Sequence, residues 1–202
     1  TLTPGRDAAR KEASKLNVPR IGVRFRLPAS MNQVEYFGRG PAENYLDRNA
    51  GSMVGLYKST AEELYFPYVR PQENGHHTDT RWVSLSTGKK GLLIQADNTI
   101  GFNALRNSIE DFDDEEATGL SRQWSNFTPE QVANHDEAAA KNVLRRQHHI
   151  NDITPRDFVE VCVDLKQQGV AGYDSWGSRP EPAYTLPANR EYNWGFTLIP
   201  LK

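Results

Sequence analysis

Apolar and basic positions alternate along Ile21-Gly22-Val23-Arg24-Phe25-Arg26-Leu27-Pro28. A period of two puts successive side chains on opposite faces of a strand, here with one face wetted. Shorter runs of the same kind recur at Gln33 to Phe37, Arg81 to Ser86, Gly91 to Gln95, Phe158 to Leu165 and Trp194 to Ile199, each bounded by Gly, Pro, Asn or Asp. Many short strands punctuated by turn residues predict an antiparallel all-β fold. In the run from Phe158, alternation sets Phe158, Glu160 and Cys162 on one face and Val159, Val161 and Val163 on the other. One segment departs from this pattern. Thr128-Pro129-Glu130-Gln131 combines an N-cap hydroxyl, a proline at the first helical position and a glutamine at the third, which predicts one short helix running to about Arg145. Residues 1–19 are charged and lack a long apolar period, so they read as a lead-in or incomplete first strand region ahead of one unit over 20–202. No repeat of fixed period is visible.

Composition narrows what such a unit can do. The chain has 202 residues, 37% of them hydrophobic and 25% charged, with 4 Trp, 8 Tyr and 8 Phe; that is enough apolar material for one core and leaves much wet surface. A formal charge of −2 supplies no basic field for a phosphate backbone, so nucleic acid is not an expected partner. No apolar run reaches the ~18 residues a membrane-spanning helix needs, and no membrane partner is expected. Cys162 is the single cysteine; it forms no intrachain disulfide, leaves the redox compartment undecided and reads as a buried thiol. The chain starts at Thr1 with no signal pattern, as expected of an excised or processed piece.

Candidate chemistry is sparse. The acidic run Glu110 to Glu116 reads as a solvated loop, because its like charges repel and it lacks the glycine-punctuated spacing of a calcium loop. His76 and His77 are adjacent, and neighbouring strand residues point to opposite faces, so they are poorly placed to share a metal ion. No nucleophile elbow, phosphate loop or dinucleotide fingerprint is present. Two blocks are more distinctive. Gly38-Arg39-Gly40-Pro41-Ala42-Glu43-Asn44-Tyr45-Leu46-Asp47-Arg48 reads as a shaped loop whose glycines permit positive φ, or as an interdomain or sugar-facing surface made by Arg39, Glu43, Asn44, Tyr45 and Arg48. Tyr65-Phe66-Pro67-Tyr68-Val69-Arg70-Pro71-Gln72-Glu73-Asn74-Gly75 reads as an edge segment leading into an Asn-Gly turn. Near the C-terminus Gly172, Gly177, Ser178 and Pro180 surround Trp176 and place it in a loop rather than a core.

These two blocks, followed in order by Asp174-Ser175-Trp176, closely resemble the C-terminal small-chain domain of glycoside hydrolase family 2 β-galactosidases over roughly residues 20 to 202. The resemblance implies a large antiparallel β-supersandwich of the galactose mutarotase-like kind, within a retaining enzyme that hydrolyses terminal β-D-galactosyl residues. It implies that both catalytic glutamates lie in an upstream TIM-barrel domain, the acid/base directly after an asparagine. No Asn-Glu dipeptide occurs in this chain, so no catalytic residue is expected in it and the isolated chain is expected to be inactive. Trp176 matches an aromatic that reaches from this domain into the barrel's active site, which makes it the expected substrate-binding residue. The implied partners are the galactoside, the barrel of the same polypeptide and a second copy of the parent enzyme. The Mg²⁺ and Na⁺ of the parent would be bound by other domains, leaving no metal or cofactor role here. Departures from the family pattern are a longer acidic insertion at Glu110 to Leu120 and a start inside the domain, a leading strand or two short. Two rivals stay open: an aldose 1-epimerase using His76 or His77 as acid with a nearby glutamate, and a non-catalytic carbohydrate-binding module.

Overall fold

The computed structural model of the chain describes residues 16–112, 150–174 and 176–202. Through them run β1 (Arg20–Pro28), β2 (Gln33–Gly40), β3 (Met53–Thr60), β4 (His77–Ser86), β5 (Gly91–Leu105), β6 (Phe158–Gln167) and β7 (Phe196–Leu201). The strands pair antiparallel in one sheet of order β1-β6-β5-β4-β2-β3, with β7 added beside β5. The helical pieces among the described residues are short 3-10 turns at Ile109–Phe112, Ile150–Asp152 and Pro182–Tyr184. The all-β antiparallel expectation therefore holds. The helix expected from Thr128 lies outside the described residues, as does most of the acidic run after Asp111.

The sheet is organised by β5, which is 15 residues long. Its first half, Gly91 to Ala96, pairs with β7, while its second half, Gly101 to Leu105, pairs with β6. Along its other edge β4 slips register between His77 and Trp82, where Asp79 takes a left-handed φ of 51°. Such a bulge turns the following side chains to new directions. The core lies on the face formed by Val159, Val161 and Val163 of β6, Ile94, Phe102 and Ala104 of β5, Val83 and Leu85 of β4, and Val34 and Tyr36 of β2, with Leu64 and Phe112 packed over it.

The opposite face of β6 is buried too, and it is polar: Glu160, Cys162 and Asp164 are all inside. The basic positions of β1 cover it. Register sets Arg24 against Cys162 and Arg26 against Glu160; Arg26 Nε donates to Glu160 Oε2 at 3.0 Å and Arg20 Nε lies 3.1 Å from Asp164 Oδ2. The face of β1 expected to be wetted is thus partly spent on closing a buried carboxylate row.

Elsewhere the structure departs from the strand reading. Met53-Val54-Gly55-Leu56-Tyr57 has no clean alternation, yet forms β3 as the outer partner of β2. The stretch from Tyr65 to Gly75 is not an edge strand; it is an irregular loop whose Asn74 side chain substitutes for a ladder, Oδ1 accepting from Phe66 N at 2.8 Å and Nδ2 donating to Phe66 O at 2.6 Å. Gly38 and Gly40 belong to β2 rather than to a loop. They are small because neighbours approach closely, not because of positive φ: a Cβ on Gly38 would stand 2.5 Å from Thr80 Oγ1, and one on Gly40 would meet the Tyr36 hydroxyl.

Candidate functional site

At one end of the sheet the first two sequence blocks and the segment that leads into the third converge on a cavity of about 590 Å³. Arg48 reaches it from the first block, Tyr68, Gln72 and Glu73 from the second, and Gln167 with the backbone of 169–172 from the segment that leads to Trp176. Glu43 ties the first two blocks together from inside. Its carboxylate accepts from Arg48 Nη2 at 2.6 Å, from Gly75 N at 2.6 Å and from Tyr45 OH at 3.4 Å, and also from the Tyr68 hydroxyl. Arg48 completes the group by donating to Tyr68 OH at 2.7 Å and lying 4.7 Å over the Tyr45 ring. Burial, followed by the bond to Glu43, raises the Tyr68 phenol pKa, so the hydroxyl stays a donor.

The structure divides the five side chains considered as one surface. Arg48 lines the cavity, and Arg39 is partly exposed, bonded through Nε to Asp79 at 2.5 Å and through Nη1 to Ser52 O at 2.8 Å. The Glu43 side chain is enclosed, and Asn44 and Tyr45 are both 0% exposed, so these three present little open surface on this chain. The reason is local. Asn44 uses Oδ1 to accept from Thr78 N and Oγ1 at 3.0 and 2.6 Å, and Nδ2 to donate to Arg39 O and Ala42 O, both at 3.1 Å. It cross-links the 39–44 turn to the start of β4, a role that only a buried amide can fill.

Behind the cavity lies a charge cluster missing from the sequence reading. Arg20 Nη2 donates to Asn103 Oδ1 at 2.8 Å, Gln167 Oε1 at 2.5 Å and Glu73 Oε1 at 3.3 Å. Asp164 lies at ion-pair distance from Arg20 Nε but outside hydrogen-bond alignment. Burial therefore dominates and pushes its carboxyl up to about 7 against the opposing pull of Arg20. The same desolvation lowers His76 to about 3. Asn103 Nδ2 donates to Asn74 O at 2.6 Å, so its Oδ1 is the acceptor facing His76 Nδ1 at 2.8 Å, and His76 carries its proton on Nδ1. His77 is equally enclosed, between Gly75 O and Pro41 O. Neither imidazole lines the cavity. The Cys162 thiol, in the expected buried position, is pushed up to about 12 by burial. The signal that could have revealed this cluster is complementary alternation: arginines at 20, 24 and 26, acids at 160 and 164.

Trp176 stands apart, 93% exposed on a loop. Asp174 Oδ1 accepts from Trp176 N at 2.8 Å and from Ser178 N at 3.2 Å, and Ser178 Oγ accepts from Tyr173 N at 3.0 Å. The loop thus closes on itself while the indole projects outward. Ser175 lies outside the described residues.

These features define an antiparallel all-β domain, consistent with the sandwich class, with a polar cavity and a projecting indole at one end. The profile of the family described as beta-galactosidase small chain matches residues 4–198, and the chain belongs to that family. It is 35% identical over 185 residues to a β-galactosidase of Priestia megaterium, covering 91% of this chain and 15% of that protein. A β-galactosidase of Vibrio cholerae is 29% identical over 181 residues, covering 90% and 14%, and one of an Arthrobacter species is 40% identical over 111 residues, covering 52% and 11%. The chain therefore spans about 15% of the length of such relatives.

Proposed function

We propose that the chain is the C-terminal domain of a retaining β-galactosidase and completes the active site of an upstream barrel domain with an aromatic platform, Trp176, while contributing no catalytic glutamate. The observation that carries this reading is an indole 93% exposed on a loop closed by its own hydrogen bonds. Leaving so large an apolar ring in water is unfavourable unless something covers it in the working protein. A sugar offers a matching surface, since its C–H faces stack on an indole.

Trp176→Ala in the full-length enzyme tests this. The expected result is a KM for an aryl galactoside raised by several-fold to about tenfold, the size of roughly 1 kcal/mol of lost stacking, with the thermal midpoint unchanged. An unchanged KM and kcat would leave Trp176 without a part in catalysis.

A further inference from the structure

We infer that Asp47 is a positioning residue for Trp176: its carboxylate fixes, through three hydrogen bonds, the segment from which the indole is presented. The inference rests on the platform reading above. Asp47 is the penultimate residue of the first sequence block and lies 123 residues from its nearest partner in the loop. Its Oδ1 accepts from Val170 N at 3.1 Å, and its Oδ2 accepts from Ala171 N at 2.7 Å and from Tyr173 OH at 3.2 Å.

The backbone there is shaped to hold an anion. Ala171 and Gly172 take left-handed φ angles of 55° and 84°, and successive N–H groups beside such residues form a concave nest that binds negative charge. Left-handed backbone is uncommon for alanine and persists where surrounding contacts over-determine it; the Asp47 carboxylate supplies those contacts. It also packs flat on the chain, since a Cβ on Gly169 would stand 2.5 Å from Asp47 Cγ. Beyond Tyr173 the hydrogen bonds of Asp174, Trp176 and Ser178, among the described residues, close the loop on itself. The indole's place is therefore inherited from the anchored residues 170–173, and a shift of the anchor is passed to the ring.

The test is a double-mutant cycle in the full-length enzyme. Asp47→Asn keeps the shape but turns an NH₂ toward one of two N–H donors. Asp47→Asn is expected to raise KM several-fold while kcat changes less and the thermal midpoint stays near that of the parent. In a Trp176→Ala background the same substitution is expected to change KM less than twofold, because the residue through which it acts is gone. Chymotryptic cleavage after Tyr173 or Trp176 is expected to become several-fold faster in Asp47→Asn. Tyr173→Phe, at an exposed position that leaves the fold intact, carries the same test in weaker form should Asp47→Asn fail to fold. If Trp176→Ala raises KM and Asp47→Asn does not, or if Asp47→Asn raises KM equally in both backgrounds, the positioning role is overturned and the platform stands. If Trp176→Ala leaves KM unchanged, the platform reading falls, and with it the role proposed for Asp47; unaltered cleavage would show further that Asp47 does not hold the loop at all.

Discussion

Asp164 and His76 lie 3.9 Å apart, and burial drives both toward neutrality from opposite directions. For Asp164 the folded pKa of about 7 exceeds the ordinary 3.8, so the folded state keeps a proton the unfolded chain gives up; this stability is full below pH 3.8 and is lost as pH rises toward 7. For His76 the folded pKa of about 3 lies below the ordinary 6.5, so its contribution is full above pH 6.5 and is lost as pH falls. His77 is lowered in the same direction by burial. Arg20 and Glu73 face the pair and oppose one another in charge. Between pH 3.8 and 6.5 the slopes of Asp164 and His76 offset, each set by a difference of at most one bound proton between the folded and unfolded states. Asp164→Asn removes one of them, so urea midpoints should fall more steeply on acidification than in the parent. Parallel curves for the two proteins would refute the coupling.

Among the elements, β5 and β6 carry the most. The second half of β5 meets β6 along Gly101 to Leu105, and Phe102 sits there fully buried, its ring 5.0 Å from those of both Tyr36 and His77. Phe102→Ala is expected to cost about 3–5 kcal/mol, from lost apolar transfer plus the cavity left behind, read from the urea midpoint; a loss below about 1 kcal/mol would show that the site collapses without strain. The alternation along Phe158 to Val163 assigned each residue to its observed face and Cys162 reads as buried, but alternation could not show that Glu160 is buried beside it, because it records polarity and not what covers it. β3 escaped notice for the converse reason. Its Met53, Val54 and Leu56 are exposed and it is held by pairing to β2, which leaves no periodic trace.

At the scale of the whole molecule, the chain spans about 15% of its relatives' length and ends its sheet at a cavity and a projecting tryptophan. Under the proposed reading it supplies a platform and not the chemistry, so the isolated 202-residue chain should release no nitrophenol from a nitrophenyl galactoside above the buffer rate. Turnover that survives purification to homogeneity and disappears on unfolding would place catalytic groups within this chain.

By itself the sequence determined the antiparallel all-β class, most strand positions, the division of β6 into two faces and the loop character of Trp176, and its motif blocks pointed to the family. These are local properties, fixed within a few residues by the period of two and by glycine and proline punctuation. Tertiary structure alone decided that Asn44 and Tyr45 are interior braces, that β1's arginines close over Glu160 and Asp164, and that Asp47 anchors the loop bearing Trp176. The contacts that decide this join distant positions: Asn44 to Thr78, Asp47 to Val170 and Arg20 to Asp164 lie 34, 123 and 144 residues apart in the chain. Such contacts arise from how strands order within a sheet, and no local pattern encodes that order.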